Sequence, residues 1–249
     1  MDKTKELKLV HGYPESLKDV QHKYCSGCGH GIIHRIIAEI IDELDLREKT
    51  VAVAPVGCAV FAYEFFNFDV TEAPHGRPPA VATGIKRMLP DRLVFTYQGD
   101  GDLAAIGTAE MIHTANRKEN ITIIFVNNAT YGMTGGQMAP TTVLGQKTAT
   151  TPNGRNVAEH GYALRVCELL ATLNGVAYLE RTAVNNAKNV LKTKKAVKKA
   201  FQIQLDRKGF SLVEILSQCP VDWGKSPKDS VEWIEEEMMK TFPLGTFKG

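Results

Sequence analysis

The sequence predicts an α/β fold in which helices cover both faces of a mostly parallel β-sheet. Three observations support this prediction. Short apolar runs rich in β-branched residues alternate with longer segments in which apolar residues recur at helical spacing. The short runs are almost continuously apolar, as are strands that a parallel sheet buries on both faces. The chain has 249 residues, of which 43% are hydrophobic, and can therefore bury one sizeable core.

Each predicted element has its own signal. In the segment 31–44, isoleucines form one helical stripe and most charged residues lie on the other side, which predicts an amphipathic helix. Further helices are predicted at 78–89, 103–116, 157–171 and 186–207. Strands are predicted at 50–56, 93–97, 121–126, 177–181 and 210–216. The Gly- and Thr-rich segment 131–156 has no clear period, and loops of this length inside a domain are usually functional or disordered.

Composition and charge narrow the class of protein. Thirty basic and 28 acidic residues leave a formal net charge of +2, which offers no sequence-wide case for nucleic acid as a partner. No stretch approaches the roughly 20 apolar residues that a membrane helix needs, and the N-terminus lacks the apolar centre of a signal peptide. We therefore expect a cytoplasmic protein without a membrane partner. Three segments are predicted: an N-terminal arm over 1–24, a central domain over 25–225, and a C-terminal helix and tail over 226–249.

A motif rich in glycine and aspartate, Gly99-Asp100-Gly101-Asp102, follows a predicted strand and opens a helix. Glycines let a backbone approach a phosphate closely, and a helix N-terminus offers free N–H groups and a positive dipole end. Asp100 would supply a carboxylate oxygen, which Mg²⁺ prefers. Taken alone, however, the motif favours an ordinary turn in which an aspartate caps the helix.

A second motif, Asn127-Asn128, follows the next predicted strand. The separation of 28 residues between Asp100 and Asn128 leaves room for one helix and one returning strand. The two residues can therefore meet at neighbouring strand ends, where open α/β sheets bind their ligands. The carbonyl of Thr130 could complete the protein's share of magnesium ligands. Together, the two motifs favour a ligand-binding site over an ordinary turn. They resemble the thiamine-diphosphate signature, GDG followed by NN.

Four of the five cysteines are candidates for a redox or metal site. The CxxC motif of Cys25 and Cys28 alone indicates either metal binding or thiol exchange. No strand precedes it, as a thioredoxin-like site would require, and no second pair lies nearby for zinc. Cys58 and Cys219 each follow a predicted strand, and the four thiolates would satisfy a cubane iron–sulfur cluster. Cys167 lies in an apolar helical stretch and is predicted to be in the core.

The order of these motifs resembles one family. The resemblance rests on the CxxC-Gly-His opening, a Gly-Cys after the first strand, His75-Gly76-Arg77, GDGD, NN, the segment 131–137 and the late Cys-Pro, and it spans roughly residues 15–225. The chain resembles the thiamine-diphosphate-binding β subunit of 2-oxoacid:ferredoxin oxidoreductases, with the 2-oxoisovalerate type most similar. This resemblance implies the thiamine-diphosphate-binding fold for 25–225, with thiamine diphosphate, Mg²⁺ and a 4Fe-4S cluster as cofactors.

The resemblance also implies the role of individual residues. The implied Mg²⁺ ligands are Asp100, Asn128 and the Thr130 carbonyl, and the implied cluster ligands are Cys25, Cys28, Cys58 and Cys219. The residues implied to touch thiamine diphosphate are Val56, Gly57, Cys58, Ala59, His75, Gly99, Gly101, Asp102, Gly132, Met133 and Thr134. His75 alone could equally be a turn residue. The catalytic set would be incomplete in this chain, because the glutamate that activates the aminopyrimidine belongs to the α subunit in this family.

The implied reaction is the coenzyme A-dependent oxidative decarboxylation of a 2-oxo acid to an acyl-CoA, with electrons passing through the cluster to ferredoxin. The implied partners are an α subunit, together with γ and ferredoxin-like δ subunits. Relatives specific for 2-oxoglutarate often carry lysine where Gly135 stands, so we expect an apolar substrate such as 2-oxoisovalerate. The alternatives are 2-oxoglutarate or pyruvate, a thiamine-dependent decarboxylase without a cluster, or a non-catalytic metal-binding assembly protein.

Overall fold

Strands and helices alternate along the chain, whose fold is given by a computed structural model that describes residues 12–249. The strands are β1 (Thr50–Ala54), β2 (Asp69–Glu72), β3 (Leu93–Gly99), β4 (Thr122–Asn127), β5 (Val176–Ala183), β6 (Phe210–Leu216) and β7 (Gly245–Lys248). The α-helices are α1 (His30–Glu43), α2 (Ala62–Phe65), α3 (Pro78–Met88), α4 (Thr108–Asn116), α5 (Val157–His160), α6 (Val166–Ala171), α7 (Ala187–Leu205), α8 (Pro220–Trp223), α9 (Pro227–Trp233) and α10 (Met239–Thr241). Two π-helical turns span Gly101–Ile106 and Ile234–Met238. Shorter 3₁₀ turns span Arg47–Lys49 and Cys58–Phe61.

These strands form one sheet, in the order β2-β1-β3-β4-β6-β5-β7. All neighbouring strands are parallel except β7, which pairs antiparallel with β5. Because β1, β3 and β4 are parallel neighbours, their last residues reach the same edge of the sheet. Ala54, Gly99 and Asn127 are these last residues. The loops that leave this edge carry the motifs singled out in the sequence.

The core occupies both faces of the sheet. On one face, the isoleucine stripe of α1 and the apolar side of α7 pack on β1, β3, β4 and β6. On the other face, α3, α4 and α6 cover the alternate strand residues. The predicted α/β fold with helices on both faces is therefore confirmed. Within residues 12–249, no helix combines the length and the apolar character needed to span a membrane.

The predicted helix 157–171 and the two edge strands of the sheet differ from the predictions. The predicted helix 157–171 is divided into α5 and α6 at Gly161, whose φ of 64° no helix accommodates. β2 was not predicted, because it is a short edge strand with mostly polar, exposed residues. β7 also lacks a signal and lies in the segment 226–249, predicted as helix and tail.

The predicted arm over 1–24 is partly outside the described residues, which begin at 12. Its described part is bound to the domain: Ser16 N lies 3.1 Å from an Asp42 carboxylate oxygen, and Lys18 N donates to the Phe65 carbonyl at 2.8 Å. Ordered packing thus begins before Cys25. The division into three segments stays a prediction.

Candidate functional site

A cleft with a volume of about 150 Å³ opens at the carboxyl ends of β1, β3 and β4. Its walls come from the turns that follow these strands. The lining residues are His30, Val56, Gly57, Cys58, Ala59, His75, Gly99, Asp100, Gly101, Asp102, Asn128, Thr130, Tyr131, Gly132, Met133 and Thr134. The structure thus brings together every residue assigned to thiamine diphosphate or to Mg²⁺ by resemblance. Cys58 is the one predicted cluster ligand in the wall.

Three oxygen atoms converge inside this cleft. The side-chain oxygen position of Asn128 lies 2.8 Å from the Thr130 carbonyl oxygen and 3.1 Å from Asp100 Oδ1. If the Asn128 amide were rotated by half a turn, its NH₂ group would occupy this position and donate to both of these oxygens. An octahedral Mg²⁺ with ligands at about 2.1 Å separates neighbouring oxygens by roughly 3 Å. The three oxygens therefore have the chemistry and the spacing that suit one bound Mg²⁺.

The carboxylate of Asp100 is held in place by the surrounding loops. Oδ2 accepts hydrogen bonds from Thr141 Oγ1 at 2.6 Å and from Thr130 N at 3.2 Å, and Oδ1 accepts from Gly101 N at 2.9 Å. Burial raises the pKa of Asp100 to about 7, although these hydrogen bonds act to lower it. Among residues 12–249 this buried carboxylate has no cationic partner, and a metal ion would stabilise its charge.

Asp102 has a different role from Asp100. Its Oδ1 atom accepts from His75 Nδ1 at 2.5 Å, from Gly76 N at 2.9 Å and from Val56 N at 3.3 Å. Its Oδ2 atom accepts from Gln98 Nε2 at 2.7 Å. The carboxylate thus joins the turns after β1 and β2 to β3. It also orients His75, whose half-buried ring lines the cleft.

A close backbone approach explains the glycine at position 101. A Cβ atom there would lie 2.3 Å from the ring of Tyr131. The Tyr131 ring therefore rests on the Gly101 backbone, at the start of the π-helical turn. Such turns are frequent at functional sites.

The four candidate cluster cysteines gather beside the cleft. Cys28 lies close enough to Cys25, Cys58 and Cys219 for a charge on one thiol to affect the pKa of another, and none of them forms a disulfide. Burial raises the pKa of Cys28 to about 12 and that of Cys58 to about 11. Burial also raises the pKa of Cys219, whose thiol donates to Asp222 Oδ2 at 3.1 Å.

The arrangement of these thiols does not match a site for a single metal ion. Within residues 12–249, no three His, Cys, Asp or Glu side chains lie close enough together to hold one metal ion. A cubane cluster binds each thiolate to a different iron atom, so its ligands stand apart. Cys167, by contrast, is fully buried in the core, as predicted.

Two lining residues, His30 and Tyr131, were not predicted as site residues. His30 Nδ1 lies 2.5 Å from the Tyr97 hydroxyl, and its ring stacks on Tyr24 with centroids 4.7 Å apart. Burial lowers the pKa of His30 to about 4, so the ring is neutral at pH 7. Both residues lie inside motifs that carried the resemblance, the CxxC-Gly-His opening and the segment 131–137, and those motifs were the available signal.

Comparisons with known proteins agree on one family. A profile described as thiamine pyrophosphate enzyme, C-terminal TPP binding domain, matches residues 55–215. The ketoisovalerate oxidoreductase subunits VorA of Methanothermobacter thermautotrophicus and Methanothermobacter marburgensis are 46% and 49% identical over 97% of this chain. The chain spans only 53% and 52% of their lengths, about half. The 2-oxoglutarate synthase subunit KorB of Methanocaldococcus jannaschii is 38% identical over 86% of this chain and 77% of its own length.

One solved structure is similar to this chain in fold and, to a lesser degree, in sequence. The 2-oxoglutarate:ferredoxin oxidoreductase from Magnetococcus marinus, with 2-oxoglutarate, coenzyme A and succinyl-CoA bound, matches with a TM-score of 0.78 and 29% identity. The match covers 92% of this chain and 74% of that chain. The family profile covers more than half of the chain, and the KorB subunit is 38% identical over 86% of it. The chain therefore belongs to the thiamine pyrophosphate enzyme family and, within it, to the β-type subunits of 2-oxoacid:ferredoxin oxidoreductases.

Proposed function

We propose that this chain is the thiamine-diphosphate-binding subunit of an enzyme that oxidatively decarboxylates a branched-chain 2-oxo acid to its acyl-CoA and reduces ferredoxin. The observation that carries the proposal is the convergence of the Asp100, Asn128 and Thr130 oxygens in a cleft whose wall includes Cys58. A cation site and a thiol site thus adjoin each other. The names of the relatives, ketoisovalerate oxidoreductase and 2-oxoglutarate synthase subunits, support the same reaction class.

Each part of the cleft has a proposed task. Asp100, Asn128 and the Thr130 carbonyl would hold Mg²⁺ against the diphosphate, and the backbone at Gly99 and Gly101 would leave room for the phosphates. Thiamine diphosphate, when bound, supplies the electron sink that decarboxylation of a 2-oxo acid requires. The remaining residues assigned by resemblance, Val56, Gly57, Ala59, His75, Asp102, Gly132, Met133 and Thr134, would contact the cofactor from the walls.

The cysteines would serve the oxidation. Cys25, Cys28, Cys58 and Cys219 would hold a 4Fe-4S cluster, and Cys58 would place it next to the thiamine site. An α subunit would supply the activating glutamate, γ and δ subunits would complete the assembly, and ferredoxin would accept the electrons. Unpaired cysteines favour a reducing, cytoplasmic compartment.

The substrate proposal rests on the segment that carries Gly135. Its neighbour Thr134 lines the cleft, and no atom lies within 4 Å of a Cβ placed on Gly135, whose φ is 100°. A lysine would be strained in this conformation. Without that cation the segment 131–137 offers no positive charge to pair a second substrate carboxylate, which favours an apolar side chain such as that of 2-oxoisovalerate.

A substrate assay tests the function. We would purify the chain anaerobically with its partner subunits and follow viologen reduction with coenzyme A and, in turn, 2-oxoisovalerate, 2-oxoglutarate, pyruvate and indolepyruvate. The largest kcat/KM is expected for 2-oxoisovalerate. A preference for 2-oxoglutarate would overturn the argument from Gly135, and reduction with none of the four acids would overturn the function.

An iron analysis tests the cluster separately. Replacing Cys28 with alanine should remove about four iron atoms and four sulfides per copy of this chain, because one thiolate ligand is lost. The matched control, Cys167→Ala, removes a core thiol and should leave the iron content unchanged. Equal iron contents in the two variants would refute the assignment.

A further inference from the structure

The short helix α8 lies between the cysteines and the proposed magnesium site. It begins directly after Cys219 and is closed by a hydrogen bond from Trp223 N to the Cys219 carbonyl at 3.0 Å. Gly224 ends it in the left-handed conformation, with φ 61°. Cys219 and Trp223 are therefore held in a fixed relation by a single turn of backbone.

Trp223 reaches what we call the metal loop, residues 127–130. Its indole Nε1 donates to the Asn128 carbonyl at 3.0 Å. The same residue, Asn128, supplies one of the three converging oxygens from its side chain. The next residue, Ala129, has a φ of 57°, which is unfavourable for a residue with a side chain. A bond to the carbonyl between them restrains the backbone where the loop must turn.

The helix also touches the loops on either side. Asp222 accepts from the Cys219 thiol at 3.1 Å, and a Cβ added at Gly132 would lie 3.2 Å from Asp222 Oδ2 and 3.3 Å from Cys58 Sγ. A Cβ added at Gly27, inside the CxxC motif, would lie 3.4 Å from Pro220. Pro220 thus lies against the CxxC loop, and Asp222 lies against the turn that follows the metal loop.

We propose that Trp223 is a positioning residue for the metal loop and that α8 couples the cysteine site to the thiamine site. Fixing Cys219 at a filled cysteine site orients α8, and Trp223 then holds the Asn128 carbonyl so that the loop oxygens stay aligned for Mg²⁺. The inference rests on the proposed function but names a link that the assignment of ligands does not contain. Because coupling is reciprocal, filling either site strengthens binding at the other.

Two tryptophans provide a matched pair for the test. Trp233 packs against Trp223 with ring centroids 4.4 Å apart and, among the described residues, its indole forms no bond to the metal loop. Trp223→Phe removes the N–H donor, whereas Trp233→Phe makes the same chemical change beside it. Loss of one neutral hydrogen bond corresponds to roughly a three- to tenfold change in an equilibrium constant.

The experiment measures the Mg²⁺ concentration that gives half-maximal thiamine diphosphate binding to the purified complex, by calorimetric titration after removal of the cofactor. Trp223→Phe should require about three- to tenfold more Mg²⁺, and Trp233→Phe should stay within about twofold of the unmodified protein. Thermal unfolding of both variants checks that stability has changed equally. Equal Mg²⁺ requirements in the two variants would overturn the positioning role.

A second measurement, made first on the unmodified complex, tests the coupling. Removal of iron from the unmodified complex should raise the Mg²⁺ requirement, and the same treatment of Trp223→Phe should change it less. An unchanged requirement in the unmodified complex would overturn the coupling. If the unmodified, iron-loaded complex binds no thiamine diphosphate with Mg²⁺, the proposed function fails instead, so the two failures are distinguishable.

Discussion

Asp100 and Asp102 belong to one motif, but their carboxylates have different surroundings. Both are almost fully buried, at 2% exposure. Asp102 accepts hydrogen bonds from two backbone amides and two side chains that join the turns, whereas Asp100 faces two other oxygens. A sequence places both next to a phosphate site, but only the environment separates the scaffold residue from the proposed ligand.

A first prediction concerns the stability of the cofactor-free protein. The pKa of Asp100 is about 7 in the folded state, against 3.8 for an unperturbed group. The folded state then binds the proton more tightly, so the stability contributed by this group is present below pH 4 and is lost as pH rises through 7. Asp100→Asn carries no charge and should be more stable than the unmodified protein at pH 8, by about 1–3 kcal/mol.

Urea unfolding at pH 4.5 and pH 8 checks this prediction. The advantage of Asp100→Asn should shrink at the lower pH. The exposed Asp91, which pairs with Arg207 at the surface, gives the control variant Asp91→Asn, whose stability should change by less than about 1 kcal/mol at both pH values. An advantage of Asp100→Asn that does not depend on pH would contradict the account.

A second prediction compares alanine substitutions at two glycines of the cleft, Gly99 and Gly101. No atom lies within 4 Å of a Cβ added at Gly99, which lines the cleft, whereas a Cβ at Gly101 meets the Tyr131 ring. Gly99→Ala should therefore keep its stability but bind thiamine diphosphate at least tenfold more weakly, because the methyl group enters the cleft. Gly101→Ala should lose about 1–3 kcal/mol of unfolding free energy. Calorimetry measures the affinity for thiamine diphosphate, and urea unfolding measures the stability. Unchanged affinity in Gly99→Ala would contradict the placement of the diphosphate.

At the scale of elements, β5 and β6 support the metal loop from behind through a buried ion pair. Arg181 Nε lies 2.8 Å from Glu214 Oε2, and neither side chain is exposed. Arg181 also pairs with Glu168 at 2.6 Å and lies over the rings of Phe242 and Phe247. Glu214 Oε1 in turn accepts from Asn127 Nδ2 at 2.8 Å. The first asparagine of the NN motif is thus anchored to the sheet.

A third prediction follows from this pair. Arg181→Met leaves the Glu214 carboxylate buried without its cation and should cost about 3–5 kcal/mol of unfolding free energy. The double variant Arg181→Met/Glu214→Gln should recover part of that loss. Arg207→Met, at a residue exposed in the pair with Asp91, should cost less than about 1 kcal/mol. Urea unfolding measures these free energies. A double variant that is no more stable than Arg181→Met would refute the buried-charge explanation.

The elements that the sequence predicted are those with strong local patterns. β3, β4 and β6 are almost continuously apolar, and α1 and α7 carry clear apolar stripes, so periodicity was sufficient. β2 and β7 are short strands of four residues each at the sheet edges, and pairing with a distant strand, not local composition, makes them strands.

On the scale of the whole molecule, topology explains why the site could be predicted. Motifs that follow parallel neighbouring strands must meet at one edge of the sheet, so Asp100 and Asn128 were expected to converge, and they do. The bond from Trp223 to Asn128 joins residues 95 positions apart and leaves no trace in either local pattern. The same holds for the direction of the Asp102 carboxylate. Long-range packing of side chains accounts for what the sequence did not predict.

The central claim is that the oxygens of Asp100, Asn128 and Thr130 bind Mg²⁺ and thereby thiamine diphosphate. The most direct test is a calorimetric titration of thiamine diphosphate into the cofactor-depleted complex, with and without Mg²⁺. We expect one site per copy of this chain, binding that requires Mg²⁺, and a loss of about a hundredfold or more in affinity in Asp100→Asn but not in Asp91→Asn. Binding that is independent of Mg²⁺, or that survives Asp100→Asn unchanged, would contradict it.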